Sequence, residues 1–193
     1  MLRTILCAGL AASAMPGHAE TWTFTYQGFH DQNANTFLAD RTLTGSFAGH
    51  DNDGDGTVSR AEITSLILNG YDYVGCQGQS NEFWKCGAEA FSFTPGGALN
   101  FTAGQGGADP EGWVGAGHYY VSGEQEFGFD FHPGEFNRWA YQWTPATTLT
   151  ISAVPEPAAW ALMLGGLPLA AWATRRRRRA MASPVLPGGP ASV

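Results

Sequence analysis

The sequence predicts a mainly β domain of the antiparallel β-sandwich type. Residues 20–153 contain eight short runs of strand-forming residues. Glycine is frequent, with 26 residues in 193, and only 14% of all residues are charged. This composition is more typical of β-rich domains than of helical ones. Turn-forming pairs such as Pro95-Gly96 and Pro133-Gly134 separate several of the runs.

The predicted strands follow one another at short intervals. In the first, Trp22, Phe24 and Tyr26 alternate with polar residues, which indicates a half-buried strand. One segment, residues 61–69, carries apolar residues at helical spacing, and we expect a helix there. The eight predicted strands are residues 21–26, 42–47, 90–93, 99–102, 118–121, 127–131, 139–143 and 147–151.

The charge of this region is strongly negative. Residues 20–153 contain sixteen acidic against four basic residues, a net charge of −12 with histidine neutral. A surface of this sign repels phosphate backbones, so the sequence argues against nucleic-acid binding. Cations are the partners that it favours.

The first nineteen residues have the three parts of a secretory signal peptide. Arg3 gives a positive start, residues 4–15 are mainly apolar, and Gly17 and Ala19 are the small residues that signal peptidase reads. The apolar run is too short to span a membrane. The sequence therefore predicts export, with cleavage between Ala19 and Glu20.

The other end of the chain predicts a single transmembrane helix. Pro155, Glu156 and Pro157 precede seventeen mainly apolar residues, 158–174, and then five consecutive arginines, 175–179. Seventeen helical residues measure ~25 Å, slightly less than a ~30 Å hydrocarbon core. The arginines favour a cytoplasmic C-terminus, which leaves the preceding domain outside the cell membrane.

This three-part segment, residues 154–179, resembles the PEP-CTERM sorting signal of Gram-negative bacteria. The resemblance implies that an exosortase, a membrane transpeptidase-like enzyme, recognises Pro155, Glu156 and Pro157. It further implies an intermediate anchored in the inner membrane, followed by delivery to the cell surface or extracellular matrix. Such signals usually end soon after the arginines, whereas here residues 180–193 follow. That Pro- and Gly-rich tail is expected to be disordered in the cytoplasm. A plain tail anchor is the alternative.

The most specific motif in the central region is residues 51–62. Counted from Asp51, it has carboxylates at positions 1, 3 and 5, glycine at position 6 and glutamate at position 12. This spacing resembles the calcium loop of EF-hands. Ca²⁺ takes about six to eight oxygen ligands. The predicted ligands are Asp51, Asp53, Asp55, the carbonyl of Thr57, Ser59 (directly or through water) and Glu62.

The segments around this loop differ from those of an EF-hand. Residues 41–50 favour a strand rather than the usual incoming helix, and no second loop of this kind is present. The loop is expected to start from a strand and to continue into the predicted helix at 61–69. A structural Ca²⁺ ion fits better than a sensor site. The alternative is an acidic, glycine-rich turn that binds no metal.

Cys76 and Cys86 are the two cysteines that remain after removal of the signal peptide. In an oxidising compartment an isolated pair most often forms a disulfide. A metal site would need two further ligands from elsewhere. We therefore expect a disulfide.

No catalytic motif is present, and we expect no enzymatic activity, with a secreted hydrolase as the least favoured reading. The favoured function is a surface or matrix component. A carbohydrate-binding module acting on exopolysaccharide is the alternative, because aromatic residues cluster in the second half of the domain. Trp139, Tyr141 and Trp143 share one face of a predicted strand and are expected to be either all buried or all displayed.

Overall fold

A computed structural model describes residues 20–154, which form a mainly β, antiparallel structure. Their strands belong to a single sheet, and every pairing between them is antiparallel. The prediction of a mainly β, antiparallel fold is confirmed. The strands are β1 Glu20–Asp31, β2 Thr36–Gly49, β3 Val58–Ser59, β4 Ile63–Leu68, β5 Tyr71–Asp72, β6 Trp84–Phe93, β7 Leu99–Ala108, β8 Gly115–Val121, β9 Gln125–His132, β10 Glu135–Gln142 and β11 Thr148–Val154. A 3₁₀ helix, Gly75–Gln79, lies between β5 and β6.

All eight predicted strands are present, but the predicted helix at 61–69 is wrong. That segment forms β4, which pairs with β2 and turns back into β5. Asn69 and Gly70 have φ angles of 49° and 86°, as a two-residue hairpin turn requires. Leu66 and Leu68 are fully buried. Pairing with β2 and the Asn-Gly turn outweigh the helical spacing of the apolar residues.

Strand β1 has a central place in the sheet. The sheet order is β3-β6-β7-β8-β9-β10-β1-β2-β4-β5, and β11 pairs additionally with β1. On one side β1 pairs with β2. On the other side its residues 21–27 pair with β11, and His30 and Asp31 pair with β10. Strand β1 thus pairs with three other strands, β2, β10 and β11.

The core consists mainly of aromatic rings contributed by distant strands. Phe47 of β2 lies 4.9 Å from Phe91 and 5.0 Å from Phe93, both on β6, measured between ring centroids. Phe24 of β1 lies 5.7 Å from Phe101 of β7. Because these strands are several positions apart in the sheet order, the sheet must fold over so that β1 and β2 face β6 and β7. Each fully buried ring contributes about 1.5–3 kcal/mol to the stability.

The disulfide between Cys76 and Cys86 is present, as predicted. It links the 3₁₀ helix to β6, with the two Cα atoms 5.8 Å apart, and both cysteines are buried. The loop that it closes is short, so the expected stabilisation is at most roughly 3 kcal/mol.

Several predictions concern residues outside the described range. The signal peptide 1–19 with Ala19, the sorting motif Pro155, Glu156 and Pro157, the span 158–174 and the tail 180–193 all lie there. Glu20, on the other side of the predicted cleavage point, is the first residue of β1. Within residues 20–154, no helix has the length and hydrophobicity needed to cross a membrane.

Strand β1 changes partner at a β-bulge centred on Gly28. The register with β2 shifts between Gln27 and Phe29. Gly28 has a φ of +86°, a conformation that side chains with a Cβ disfavour. Its carbonyl oxygen accepts a 2.6 Å hydrogen bond from the Thr147 hydroxyl. The bulge therefore also fixes the start of β11.

The variant Gly28→Ala should lower the free energy of unfolding by about 1–2 kcal/mol, because alanine is strained at positive φ. Its Cβ would also lie 2.8 Å from Cζ of Phe37, which would have to move. Urea denaturation measures the change. Gly78→Ala is the control, since nothing lies within 4 Å of the added Cβ, and it should change stability by less than about 0.5 kcal/mol. Equal losses in the two variants would contradict this account of the bulge.

Candidate calcium-binding loop

Three carboxylates converge in the loop that connects β2 to β3. Each of Asp51, Asp53 and Asp55 offers a carboxylate oxygen, and the three oxygens lie within 4.8 Å of one another. Asp53 and Asp55 are exposed and Asp51 is half-buried. Because like charges at this distance repel, the arrangement favours a bound cation.

The Asp51 side chain organises the first half of the loop. Its Oδ1 accepts hydrogen bonds from the N–H groups of Gly54 at 2.7 Å and Asp55 at 3.2 Å. Its Oδ2 accepts one from the N–H of Gly56 at 2.8 Å. The pKa of Asp51 is lowered, chiefly by the Gly56 N–H, because these bonds favour the ionised carboxylate. Asp51 is thus held as an anion at the start of the loop.

Asp53 and Asp55 continue the same pattern. Oδ1 of Asp53 accepts the N–H of Asp55 at 3.2 Å, and Oδ1 of Asp55 accepts the N–H of Thr57 at 2.7 Å. The Asp55 N–H acts to lower the pKa of Asp53. Desolvation and the charges of Asp55 and Glu62 outweigh it and raise that pKa overall.

Two glycines allow the chain to turn inside the loop. Gly54 and Gly56 have φ angles of +75° and +86°. Gly56 occupies the sixth position of the motif, where the sequence predicts a sharp turn. These turns allow Asp51 to accept N–H groups from three of the following five residues.

Glu62 joins the two ends of the motif. Its Oε1 accepts the N–H of Asn52 at 2.7 Å, and its Oε2 accepts both the N–H and the hydroxyl of Ser59 at 2.8 Å. The two Ser59 groups and then the Asn52 N–H lower its pKa to about 2. The Glu62 carboxylate is not part of the 4.8 Å aspartate cluster and binds Asn52 and Ser59 instead.

The other two predicted ligands lie at the exit of the loop. Ser59 ends β3 and donates its hydroxyl to Glu62. The Thr57 hydroxyl lies 3.3 Å from that of Thr94, and its carbonyl is the group that the motif would use. The loop runs from strand to strand, because β2 precedes it and β3 follows it. The entry from a strand is as predicted, whereas the helix expected from Ala61 is absent and β4 begins at Ile63 instead.

A buried ion pair that sequence reasoning missed lies elsewhere in the sheet. Glu126 of β9 is 2% exposed, and its carboxylate contacts Nη2 of Arg41 at 2.9 Å and Nε2 of His118 at 3.0 Å. The Arg41 guanidinium lies 3.4 Å from the centroid of the Tyr141 ring. These residues come from four strands, so only the folded register could identify them. Pairing offsets the cost of burying the Glu126 charge.

The aromatic residues of β10 are neither all buried nor all displayed. Trp139, Tyr141 and Trp143 are each half-buried. Trp143 lies beyond the end of β10 and packs on Phe29 with ring centroids 4.7 Å apart. Trp139 contacts the His118 ring at 4.9 Å. The either-or prediction for this face is therefore wrong, because each ring is partly covered by a different neighbour: Trp143 by Phe29, Trp139 by His118 and Tyr141 by Arg41.

No protein-family model, curated protein or solved structure matches the chain.

Metal-free protein should lose stability as the pH falls from about 4.5 towards about 2, in part through Glu62. Its pKa in the folded state is about 2, below the ordinary 4.5. The ionised Glu62 carboxylate therefore contributes its full stabilisation at a pH above its pKa in the unfolded state. This stabilisation is lost as the pH falls towards its pKa in the folded state. The stability difference between wild type and Glu62→Gln should be smaller at about pH 3 than at about pH 6 in urea unfolding.

The control for this experiment is Glu111→Gln, which changes an exposed carboxylate outside the loop. The stability difference between Glu111→Gln and wild type should stay small at both pH values. A difference for Glu62→Gln that is the same at both pH values would contradict the role given to the Ser59 and Asn52 hydrogen bonds.

Proposed function

We propose that this chain is an exported surface or extracellular-matrix protein of a Gram-negative bacterium whose β-sandwich-like domain binds one structural Ca²⁺ ion. The observation that carries the calcium part is the convergence of the Asp51, Asp53 and Asp55 oxygens within 4.8 Å. Calcium is a hard cation that prefers such oxygen ligands.

The remaining ligands follow from the loop. Thr57 would supply its carbonyl, Ser59 its hydroxyl directly or through water, and Glu62 both carboxylate oxygens. In the structure Glu62 instead accepts hydrogen bonds from Asn52 and Ser59. Calcium binding would thus require the Glu62 side chain to shift from these donors towards the aspartates.

Export is supported by the disulfide and by the sequence signals. A disulfide such as Cys76–Cys86 persists in oxidising compartments. We propose that signal peptidase cleaves between Ala19 and Glu20 and that an exosortase then acts at the motif 155–157. Residues 158–174 would hold the intermediate in the inner membrane until that step.

Calcium should raise the thermal midpoint of the full chain in detergent, and Glu62→Ala should abolish the rise. Binding only to the folded state adds RT ln(1 + [L]/Kd), so a ~0.1 mM site in ~10 mM Ca²⁺ gains about 2.7 kcal/mol. For a domain of this size the midpoint shifts by several degrees, which calorimetry detects. Mg²⁺ should have much less effect, because it prefers a tight octahedron and retains its waters.

The matched control is Glu111→Ala, which removes an exposed carboxylate outside the loop and should keep the full calcium response. A shift of equal size with Mg²⁺, or one that survives in Glu62→Ala, would show screening of the acidic surface instead of a site. If Ca²⁺ produced no shift, residues 51–62 would be an ordinary turn.

Replacing Pro155, Glu156 and Pro157 together with alanine should leave export intact but block maturation. The unprocessed chain should then accumulate in the inner membrane of a host that has an exosortase, as membrane fractionation and immunoblotting would reveal. Alanine at Pro184 and Pro187, beyond the arginines, is the control and should not alter sorting. Normal arrival of the triple variant at the cell surface would contradict the sorting proposal and leave a plain tail anchor.

A further inference from the structure

An array of nearly parallel aromatic rings covers one face of β8 and β9. Tyr119 and Phe127 are cross-strand neighbours with ring centroids 5.3 Å apart and an interplanar angle of 21°. Phe129 lies 6.3 Å from Tyr119 and 6.4 Å from Phe131, at angles of 14° and 15°. All four rings are partly exposed, and Phe136 beside them is 65% exposed.

Glycines on β8 allow these rings to lie against the sheet. A Cβ on Gly117 would come within 2.6 Å of Cε2 of Tyr119 and 2.7 Å of Cε1 of Phe129. A Cβ on Gly115 would meet Phe131 in the same way. The rings thus occupy the space that side chains would otherwise take. Tyr119, Phe129 and Phe131 thus each lie over a glycine of β8, and each ring remains partly exposed.

A groove of about 420 Å³ runs along this array. Its lining combines the rings of Phe83, Tyr119, Phe129 and Phe131 with polar side chains of Glu82, Lys85 and Asp109. A second groove, of about 560 Å³, also borders Lys85 and Tyr119 and adds Gln77, Ser80 and Glu89. Concave sites that combine aromatic rings with a few polar groups are typical of small-molecule binding.

The polar groups of the first groove are free to bind a ligand. Within residues 20–154 Lys85 forms no ion pair. Oδ1 of Asp109 accepts the N–H groups of Trp113 and Val114, which leaves Oδ2 available. The groove therefore offers an ammonium donor and a carboxylate acceptor beside exposed ring faces.

The net charge of the domain restricts what can occupy the groove. At −12 for residues 20–153, the domain repels a second copy of itself and anionic lipid or phosphate surfaces. A pyranose ring has an apolar C–H face that can lie on an aromatic ring and hydroxyl groups that can bond Lys85 and Asp109. We propose that this groove binds a segment of an uncharged polysaccharide, with its sugar rings on Phe129 and Phe131.

This groove is distinct from the face that carries Trp139, because Trp139 lies on the opposite side of the sheet. Trp139 pairs with Gly128, and its neighbour Ala140 pairs with Phe127, so Trp139 and Phe127 lie on opposite faces. The proposal does not rest on the calcium loop or on the sorting signal.

The test is affinity gel electrophoresis of the full chain through gels that contain hydroxyethyl cellulose, mannan, dextran or a β-1,3-glucan. The detergent must be zwitterionic, since sugar headgroups would compete. At least one of these uncharged polysaccharides should retard the protein, and the anionic polysaccharide alginate should not. The double variant Phe129→Leu/Phe131→Leu keeps apolar side chains but removes the ring faces, so binding should weaken about tenfold.

Two further variants test the groove without touching its apolar packing. Lys85→Ala and Glu82→Gln change exposed side chains, and each should weaken retardation while leaving the thermal midpoint unchanged. Phe37→Leu, an exposed aromatic outside the groove, is the matched control and should bind as wild type. Glu62→Ala should also bind as wild type, which separates this proposal from the calcium site.

Retardation by none of the four uncharged polysaccharides would overturn the proposal. So would equal retardation of the double leucine variant, or an equal loss in Phe37→Leu, because either result would indicate general apolar adsorption. Concentration-dependent dimerisation that the leucine variant abolishes would assign the face to a second copy of the chain instead.

Discussion

The bulge at Gly28 is the local feature on which the sheet depends most. Before it, β1 pairs with β11, and after it β1 pairs with β10. Strand β2 runs along the other side of β1 through the register shift. Strands that change partner at a bulge form the corners of folded-over sheets. The strands from β10 to β6 join β1 at this corner through His30 and Asp31, and the positive φ of Gly28 allows β1 to change partner there.

The acidic loop connects the same two halves at the other end of β1. It leaves β2, which pairs with β1, and enters β3, which pairs with β6 through Val58 and Ser59. The base of the loop is closed by the hydrogen bond from the His50 N–H to the Glu62 carbonyl. Because the loop joins both sides of the core, an ion that orders it would stabilise the whole domain and not the loop alone. This is why a thermal midpoint is an appropriate measure of calcium binding.

Much of the fold could be predicted from the sequence, because alternation and turn residues are local signals. The eight strands follow from them, and the Cys76–Cys86 disulfide follows from an isolated cysteine pair in an exported domain. The sequence does not predict β4, because its apolar residues fit the spacing of a helix, although Asn69-Gly70 is a typical hairpin turn. The Glu126 ion pair and the aromatic groove could not be predicted. Both depend on the cross-strand register, which decides which side chains share a face.

The glycines illustrate how composition and register combine. Part of the glycine content serves turns, as at Gly54 and Gly56 in the acidic loop. Another part lies inside strands, where glycine is normally unfavourable. Some of these glycines face a ring of the neighbouring strand: Gly117 faces Phe129 on one side of the sheet, and Gly128 faces Trp139 on the other. The loss of side-chain packing at the glycine is offset by the ring that covers it. Rings held in this way keep a fixed orientation, so the outer array has a defined shape before any ligand arrives.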